Sequence, residues 1–227
     1  MGDTNQFSWV KENRELIGGP VLEVGSRHYD PATAVDYRAL CPGLVYVGVD
    51  MNEGKNVDLV LDFTSDITAI RTKLGGVNFR TVICCSVLEH VQDVFTMARN
   101  LSAVVAQGGT LFISVPFTWR FHGYPDDYWR FTPSALKYLF PEFRFLNERC
   151  TISSNVANDV TRLTDDVNSF IVRPRSVFEP RYRLLSRFRW FAWLRMRSDY
   201  DRYAYFLLPS NINMVGVKAS GEPARPV

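Results

Sequence analysis

The sequence has little cysteine and histidine, and this scarcity argues against several kinds of metal and redox site. Of its 227 residues four are cysteine and three are histidine, and no two cysteines have the C-x-x-C spacing of zinc sites and redox motifs. Cys84 and Cys85 lie inside an apolar stretch, which is typical of small buried side chains in a reducing compartment. The pattern therefore predicts neither a zinc site nor a disulfide framework.

Long apolar runs and a strong charge of either sign are also missing. No stretch approaches the roughly 20 apolar residues that span a bilayer, and residues 1–20 are polar and mixed. Neither a membrane anchor nor a secretion signal is indicated, so we predict a cytoplasmic location. The formal net charge of +2 does not point to any class of partner.

The sequence does contain an alternation of strand and helix patterns, at a length suited to one domain. With 46% hydrophobic residues the chain can bury one sizeable core, so residues 1–227 are expected to form a single domain. Alternating strands and helices build a parallel sheet with helices on both faces, which predicts an α/β fold. The predicted strands cover residues 20–26, 44–50, 57–63, 81–87, 109–116, 143–150 and 211–219, and the predicted helices cover residues 31–40, 66–74 and 92–107, the last ending at Gly108-Gly109.

Two apolar strands that end in ligand-binding residue types form the most informative pattern. The first runs into Gly25, which lets the backbone bend and approach a ligand where a Cβ would collide. The second ends in Asp50, where a doubly wound sheet places a carboxylate to bind both hydroxyls of a ribose. The first turn lacks the G-x-G-x-x-G spacing of dinucleotide sites. The pair therefore indicates a different nucleoside cofactor.

Two further segments follow strands, namely Asp62-Phe63 after the third and residues 86–90 after the fourth. Together with the two turns, they resemble the class I S-adenosylmethionine-dependent methyltransferases of the broad type 11 group. The resemblance covers roughly residues 20 to 150 and returns at the last strand. It implies a Rossmann-like, doubly wound seven-stranded sheet of order 3-2-1-4-5-7-6, with an antiparallel last strand and helices on both faces. It also implies S-adenosyl-L-methionine as the cofactor.

The resemblance assigns cofactor contacts to the strand ends. Glu23 is expected to organise the methionine portion, Asp50 to bind the ribose and Asp62 to accept from the adenine amine. Glu89 and His90 are interpreted as shaping the following loop rather than as an acid and base pair. The complete predicted cofactor set is Glu23, Gly25, Ser26, Arg27, Asp50, Met51, Asp62, Phe63, Ser86, Val87 and Leu88.

The stretch from residue 116 to residue 131, after the fifth strand, is rich in aromatic and charged residues and lies where this fold admits the acceptor. We predict His122 as general base, because histidine titrates nearest neutral pH and this is the one histidine of the loop. Asp126 is predicted to orient or replace it. Two adjacent carboxylates offer too few ligands to predict a metal ion. The predicted acceptor contacts are Trp119, Tyr124, Tyr128 and Arg130. The alternative is a lid loop whose aromatic side chains plug the core.

The predicted reaction is methyl transfer to a hydroxyl of a small-molecule or glycan-like acceptor, such as a sugar, a polysaccharide precursor or a secondary metabolite. Orientation and a desolvated pocket supply much of the rate of such a displacement. Two alternatives stay open, namely N-methylation of a small amine and a non-catalytic scaffold that keeps the cofactor. The sequence has no Asn/Asp-Pro-Pro-Tyr signature of nucleobase amino methyltransferases, so no nucleic-acid partner is expected.

Residues 151–208 are predicted to form an insertion or lid between the last two strands. Within it, residues 171–203 hold nine arginines and three acidic residues, a local charge of +6. We favour a lid or a homodimer contact for this segment, because the apolar side of a helix over residues 181–197 is broken by arginines. Peripheral membrane contact is the alternative.

Overall fold

The computed structural model describes residues 4–29, 35–123, 126–154, 158, 160–163 and 209–219. These residues form an α/β fold in which helices cover both faces of a central mixed sheet, as predicted. The helices are α1 Thr4–Glu12, α2 Ile67–Lys73, α3 Val94–Val104 and α4 Pro133–Leu139. The strands are β1 Val21–Val24, β2 Tyr46–Asp50, β3 Leu59–Val60, β4 Phe79–Cys85, β5 Val105–Thr118, β6 Phe143–Phe145, β7 Thr151–Ser154, β8 Val160–Arg162 and β9 Ser210–Lys218.

The sheet has the strand order β3-β2-β1-β4-β5-β9-β7-β8, and β6 also pairs with β9. The strands from β3 to β5 are mutually parallel, whereas β9 enters antiparallel to β5. The last strand, β9, therefore lies between β5 on one side and β6 and β7 on the other. This confirms the predicted strand order and the antiparallel direction of the last strand.

The predicted count of seven strands is wrong. The single strand expected over residues 143–150 is divided into β6 and β7 by a 3-10 turn at Asn147–Arg149. Both pieces pair with β9, at opposite ends of it. A further strand, β8, comes from the start of the predicted insertion and pairs with β7. Residues 164–208, including the arginine-rich segment, lie outside the described residues.

The boundary between α3 and β5 also differs from the prediction. The helix begins at Val94, two residues later than predicted, and the Asp93 carboxylate caps it by accepting from the backbone N–H of Thr96 at 3.0 Å. It ends at Val104, three residues earlier than predicted, and Val105 already pairs with Phe79 in the sheet. Gly108, with a φ of +68°, lies at an irregularity of this strand rather than at a helix end.

Helix α1 was not predicted, because the first residues of the chain look polar. Its inner side carries Asn5 and Gln6, which are fully buried, beside Trp9 and Val10. Trp9 packs edge-on against Phe112 of the sheet, with ring centroids 5.5 Å apart. The buried amides hide the apolar pattern by which a surface helix is normally recognised. This helix therefore owes its place to polar as well as apolar contacts.

The strand residues alternate between two hydrophobic clusters, one on each face of the sheet. The larger cluster lies beneath α2, α3 and α4, and the smaller one lies beneath α1 and the 3-10 turn at Tyr37–Leu40. Of the helix predicted over residues 31–40, residues 35–40 are described, and their helical part is this 3-10 turn alone. Among the described residues, no helix combines the length and the apolar character needed to cross a bilayer.

Candidate active site

The carboxyl ends of β1, β2 and β4 open into one cavity of about 730 Å³, which lies within the range of small-molecule sites. Val24 is level with Val49 of β2 and Cys84 of β4, so the turns that follow these strands lie side by side. Residues 119–123, after β5, form another part of the wall. The cavity therefore joins the predicted cofactor side to the predicted acceptor side. The predicted cofactor residues in its wall are Glu23, Gly25, Ser26, Arg27, Asp50, Met51, Asp62, Phe63, Ser86 and Val87.

The turn after β1 leaves room for a ligand but none for a side chain at its glycine. Gly25 has a φ of +81°, and a Cβ there would lie 2.2 Å from Cγ2 of Val87. Both Gly25 and Ser26 donate their backbone N–H groups to the Val49 carbonyl, at 2.9 and 3.0 Å. The Ser26 Oγ is buried and has no hydrogen-bond partner among the described residues. A buried hydroxyl without a partner is costly, which fits a bound ligand as its partner.

Glu23 is a buried carboxylate in the cavity wall. It accepts from the Tyr46 hydroxyl at 2.6 Å and from Nδ2 of Asn56 at 3.0 Å. Burial raises the pKa of Glu23 to about 7, because the two donors only partly replace the lost water. A cationic group placed in the cavity beside Glu23 would favour its charged form.

Asp50 lies at the end of β2 with its side chain held in place. One carboxylate oxygen, Oδ1, accepts from the backbone N–H of Asn52 at 2.9 Å. The residue is only 6% exposed, yet it lines the cavity. The neighbouring Met51 is 56% exposed, so its side chain forms an open part of the rim.

The turn after β3 is closed by its own residues. Oδ1 of Asp62 accepts from both the backbone N–H and the hydroxyl of Thr64, at 2.8 and 2.7 Å. Phe63 is a core residue, 3% exposed, which reaches the cavity only with part of its surface. The Phe63 carbonyl accepts from the buried Asn100 amide of α3, which fixes the turn against that helix.

Ser86, directly after β4, has a left-handed backbone conformation with a φ of +55°. Its hydroxyl accepts from Nε2 of Gln6 at 2.9 Å, and the same amide donates to the Ser114 hydroxyl at 2.7 Å. A strained non-glycine residue held by a buried amide is typical of functional sites. Leu88, two residues on, is fully buried in the larger cluster and is not part of the cavity wall, which corrects its place in the predicted cofactor set.

On the acceptor side, the carboxylate of Asp127 organises the loop. It accepts from both Nη atoms of Arg130 and from the backbone N–H of His122 at 2.9 Å. Its Oδ2 also lies 3.1 Å from Nδ1 of the His122 ring. The guanidinium holds the pKa of Asp127 well below its usual range. Asp127 is therefore an anion that orients His122.

This arrangement differs from the prediction for Asp126, which was expected to orient His122. The Asp126 carboxylate instead accepts from the Tyr128 hydroxyl at 3.0 Å. Arg130 also donates to the carbonyls of Trp119 and Arg120, so it holds the loop rather than facing the cavity. Of the predicted acceptor contacts, Trp119 lines the cavity, Tyr128 and Arg130 lie outside its wall, and Tyr124 lies outside the described residues.

Two imidazoles meet at the acceptor end of the cavity. The rings of His90 and His122 lie edge to face, with centroids 5.0 Å apart. Nδ1 of His90 lies 2.6 Å from the Asp126 carbonyl, which can only accept, so this nitrogen carries a proton. Burial lowers the pKa of His90 and favours its neutral form. The Nε2 atom of the neutral ring is therefore an acceptor.

Glu89, next to His90 in the chain, is almost completely buried at the same end of the cavity. Its Oε1 lies 3.9 Å from Nε2 of His90, and its Oε2 has no hydrogen-bond partner among the described residues. Burial raises the pKa of Glu89 to about 8.

Comparison with known proteins gives both a relative in sequence and neighbours in structure, although no family model matches the chain. Over 121 residues the chain is 31% identical to a ubiquinone biosynthesis O-methyltransferase of Xanthomonas euvesicatoria pv. vesicatoria (strain 85-10), a match that covers 48% of this chain and 48% of that protein. The chain thus matches about half the length of this curated relative.

Among solved structures, a SAM-dependent methyltransferase from Archaeoglobus fulgidus has a TM-score of 0.55 at 14% identity and covers 96% of this chain and 95% of its own. An S-adenosylmethionine-dependent methyltransferase from Clostridium acetobutylicum has a TM-score of 0.52 at 9% identity, and the match covers 97% of this chain and 93% of that protein. The chain has the class I methyltransferase fold. The fold that the sequence resemblance implied is thereby confirmed.

Within this methyltransferase fold, some cavity residues were not predicted from the sequence. Gln6 belongs to α1, and its place in the cavity could not be predicted because the predicted site residues were those that follow strands. His28 lines the cavity with a buried Nε2 that has no partner among the described residues. Glu89 and His90 were interpreted as loop-forming, and His90 does hold the loop through the Asp126 carbonyl. Both residues belong to the 3-10 turn Leu88–His90, and both line the cavity.

Proposed function

We propose that the chain is an S-adenosylmethionine-dependent methyltransferase that acts on a hydroxyl group of a small-molecule or glycan-like acceptor. The observation that carries this proposal is the continuity of the cavity. It runs from the turns after β1 and β2, which suit a nucleoside cofactor, to the paired imidazoles of His90 and His122. A cofactor and an acceptor bound at its two ends would meet between them.

The residues at the first end fit S-adenosylmethionine. Gly25 provides close backbone approach, and the Ser26 hydroxyl and His28 Nε2 are buried polar atoms without partners among the described residues. The Asp50 carboxylate would bind the ribose hydroxyls, and Glu23 would face the α-ammonium group. When bound, this cofactor supplies a methyl group on a positively charged sulfur.

The chain's own residues would then position the acceptor and handle its proton. A hydroxyl group must lose its proton as it attacks, and proton transfer to a placed side chain typically contributes about 10²- to 10⁴-fold in rate. Nδ1 of His122 lies 3.2 Å from the Arg120 carbonyl, which can only accept, and 3.1 Å from the Asp127 carboxylate, so Nδ1 carries the proton and Nε2 is left to accept. Trp119 and Phe121 add apolar side chains to the wall at this end, and Phe121 is largely exposed to solvent.

Oxygen is favoured over nitrogen as the acceptor atom on two grounds. A free amine is deprotonated by solvent and needs no base, whereas the cavity presents an oriented imidazole. The relative from Xanthomonas is named an O-methyltransferase. A sugar or another polyhydroxylated ring suits a wall that combines aromatic and polar groups, and the aromatic rings would stack on its apolar face.

The test combines cofactor binding with methyl transfer. Calorimetry should detect one S-adenosylhomocysteine per chain. Methyl-labelled cofactor should then label hydroxyl compounds in a panel of glycosides, phenols and primary amines. The His122→Ala variant should lower turnover by roughly a hundredfold to ten-thousandfold while cofactor affinity stays within a few fold. Labelling confined to amines, with turnover unchanged in the variant, would favour N-methylation instead.

A further inference from the structure

The side chains of Glu89, His90 and His122, here called the Glu-His-His cluster, bring three potential metal ligands together. One ligand atom from each residue lies within 4.8 Å of those of the other two. All three residues line the acceptor end of the cavity. They come from two separate segments, the turn after β4 and the loop after β5, so the sequence gives no contiguous metal motif.

Both imidazoles are held with Nε2 free to bind. His90 is fixed through Nδ1 by the Asp126 carbonyl at 2.6 Å, and His122 through Nδ1 by the Arg120 carbonyl at 3.2 Å, with the Asp127 carboxylate 3.1 Å from the same nitrogen. Metal-binding histidines almost always donate their other ring N–H to a carbonyl or a carboxylate, which fixes both the tautomer and the direction of the ring. Both kinds of partner are therefore already in place.

Glu89 provides an independent observation that points to a ligand. The residue is 2% exposed, and its Oε2 has no hydrogen-bond partner among the described residues. Within the cluster, Nε2 of His90 lies 3.9 Å from Oε1 of Glu89. A buried carboxylate oxygen without a donor is costly unless a cation or a donor compensates it.

We propose that the Glu-His-His cluster binds one divalent transition-metal cation of the Zn²⁺, Co²⁺ or Mn²⁺ kind. Two imidazoles and one carboxylate are a ligand set of catalytic zinc sites and related metal sites, whereas Mg²⁺ and Ca²⁺ prefer oxygen ligands throughout. Ligands of a bound Zn²⁺ lie roughly 3.0 to 3.5 Å from one another. The cluster therefore closes by roughly 1 Å on the cation, and His122, on a surface loop with a side chain 26% exposed, is placed to make that movement.

The role assigned to the cation rests on the proposed function. Three protein ligands leave a fourth position open for the acceptor hydroxyl, and a bound cation lowers the pKa of a coordinated hydroxyl group. The hydroxyl proton then leaves to solvent, the oxygen forms a bond to the methyl carbon, and the bond between that carbon and sulfur breaks. The products are the methyl ether and the neutral thioether, and the cation is unchanged. In this state His122 acts as a metal ligand rather than as a free base.

The test starts with metal binding in the full chain, after dialysis against a chelator and removal of the chelator. Calorimetry with ZnCl₂ should give one site per chain, and CoCl₂ should give the visible absorption bands of a low-symmetry cobalt site. Glu89→Gln and His90→Ala should each weaken Zn²⁺ binding by at least about tenfold. His28→Ala is the matched control, because His28 lines the same cavity outside the cluster, and its Zn²⁺ affinity should equal that of the parent.

The two variants of the cluster differ in how directly they test the cation site. Because His90 also holds the loop, Glu89→Gln is the decisive variant, with its fold checked by thermal unfolding and by S-adenosylhomocysteine affinity. Zn²⁺ affinity equal in the parent, Glu89→Gln and His90→Ala, or no one-to-one site in the parent, would overturn the proposal. Full methyl transfer by the chelator-treated parent would overturn the role given to the cation. Failure of the proposed function would appear separately, as absent cofactor binding or absent hydroxyl labelling while the Zn²⁺ titration remains positive.

Discussion

The carboxylate of Asp127 contacts His122 twice, since it accepts the backbone N–H at 2.9 Å and lies 3.1 Å from Nδ1 of the ring. The first contact fixes the main chain of the residue. Nδ1 of the ring also lies 3.2 Å from the Arg120 carbonyl, so the carbonyl and the carboxylate both favour a proton on Nδ1. Arg130 holds the same carboxylate from the other side. The ring of His122, which we propose as the base, thus contacts a carboxylate that does not itself line the cavity.

Replacement of Asp127 by asparagine should therefore lower turnover more than replacement of Asp126. We expect Asp127→Asn to reduce kcat by roughly tenfold to hundredfold, because a neutral amide loses the ion pair with Arg130 and the negative charge beside Nδ1 of His122. Cofactor affinity should stay within a few fold of the parent. Steady-state kinetics on the two variants separate kcat from KM. A larger loss in Asp126→Asn would restore the role predicted for Asp126 from the sequence.

The carboxylate of Asp50 should dominate cofactor affinity. Its loss in Asp50→Ala is expected to cost about 2 to 3 kcal/mol of binding free energy, roughly 30- to 150-fold in Kd, because hydrogen bonds to a charged group are the stronger kind. Asp66→Ala is a suitable control, since the Asp66 side chain caps α2 and lies outside the cavity wall. Calorimetric titration with S-adenosylhomocysteine measures both. Equal affinity in the parent and Asp50→Ala would remove Asp50 from the site.

Glu23 should make the stability of the protein depend on pH. Because burial raises its pKa from 4.5 to about 7 in the folded state, the folded chain holds this proton more tightly than the unfolded chain. The resulting stabilisation is fully present below about pH 4.5 and is lost as the pH rises through about 7, up to about 3 kcal/mol in total. Glu23→Gln cannot lose this proton. Urea unfolding at pH 5 and pH 8 should therefore show a smaller loss in the variant, and identical losses in the two proteins would contradict the prediction.

The cofactor end of the site could be predicted from the sequence because its residues follow strand ends. An apolar strand that ends in Gly25 or Asp50 is a local pattern, and the sheet then brings such ends together. Leu88 lay in the same stretch as Ser86 and Val87, but a 3-10 turn directs its side chain into the core. Local conformation, rather than position along the chain, decides which residues of such a stretch reach the cavity.

The acceptor end could be predicted only in part. Asp126 and Asp127 are adjacent and chemically equal in the sequence, and only the path of the loop and the place of Arg130 decide which of them meets His122. The pairing of His90 with His122 joins residues 32 positions apart in the chain, so no spacing rule applies to it. These contacts depend on tertiary structure alone.

The N-terminal helix supplies the last prediction, because its buried amide ties α1 to the strands below. Nε2 of Gln6 donates to the hydroxyls of Ser86 and Ser114, and the Ser114 hydroxyl donates in turn to the buried Asn213 amide. Gln6→Ala would leave both serine hydroxyls without this donor, and the loss of a buried partner costs about 1 to 3 kcal/mol of folding free energy.

Chemical unfolding monitored by tryptophan fluorescence, to which the buried Trp9 contributes, would measure this loss. Lys11→Ala is the matched control, since Lys11 lies on the exposed side of the same helix and its removal should change stability by less than about 0.5 kcal/mol. Because Gln6 also lines the cavity beside Ser86, Gln6→Ala should weaken cofactor binding as well, whereas Lys11→Ala should not. If Gln6→Ala unfolds at the same denaturant concentration as the parent and Lys11→Ala, the buried amide does not hold α1 in place.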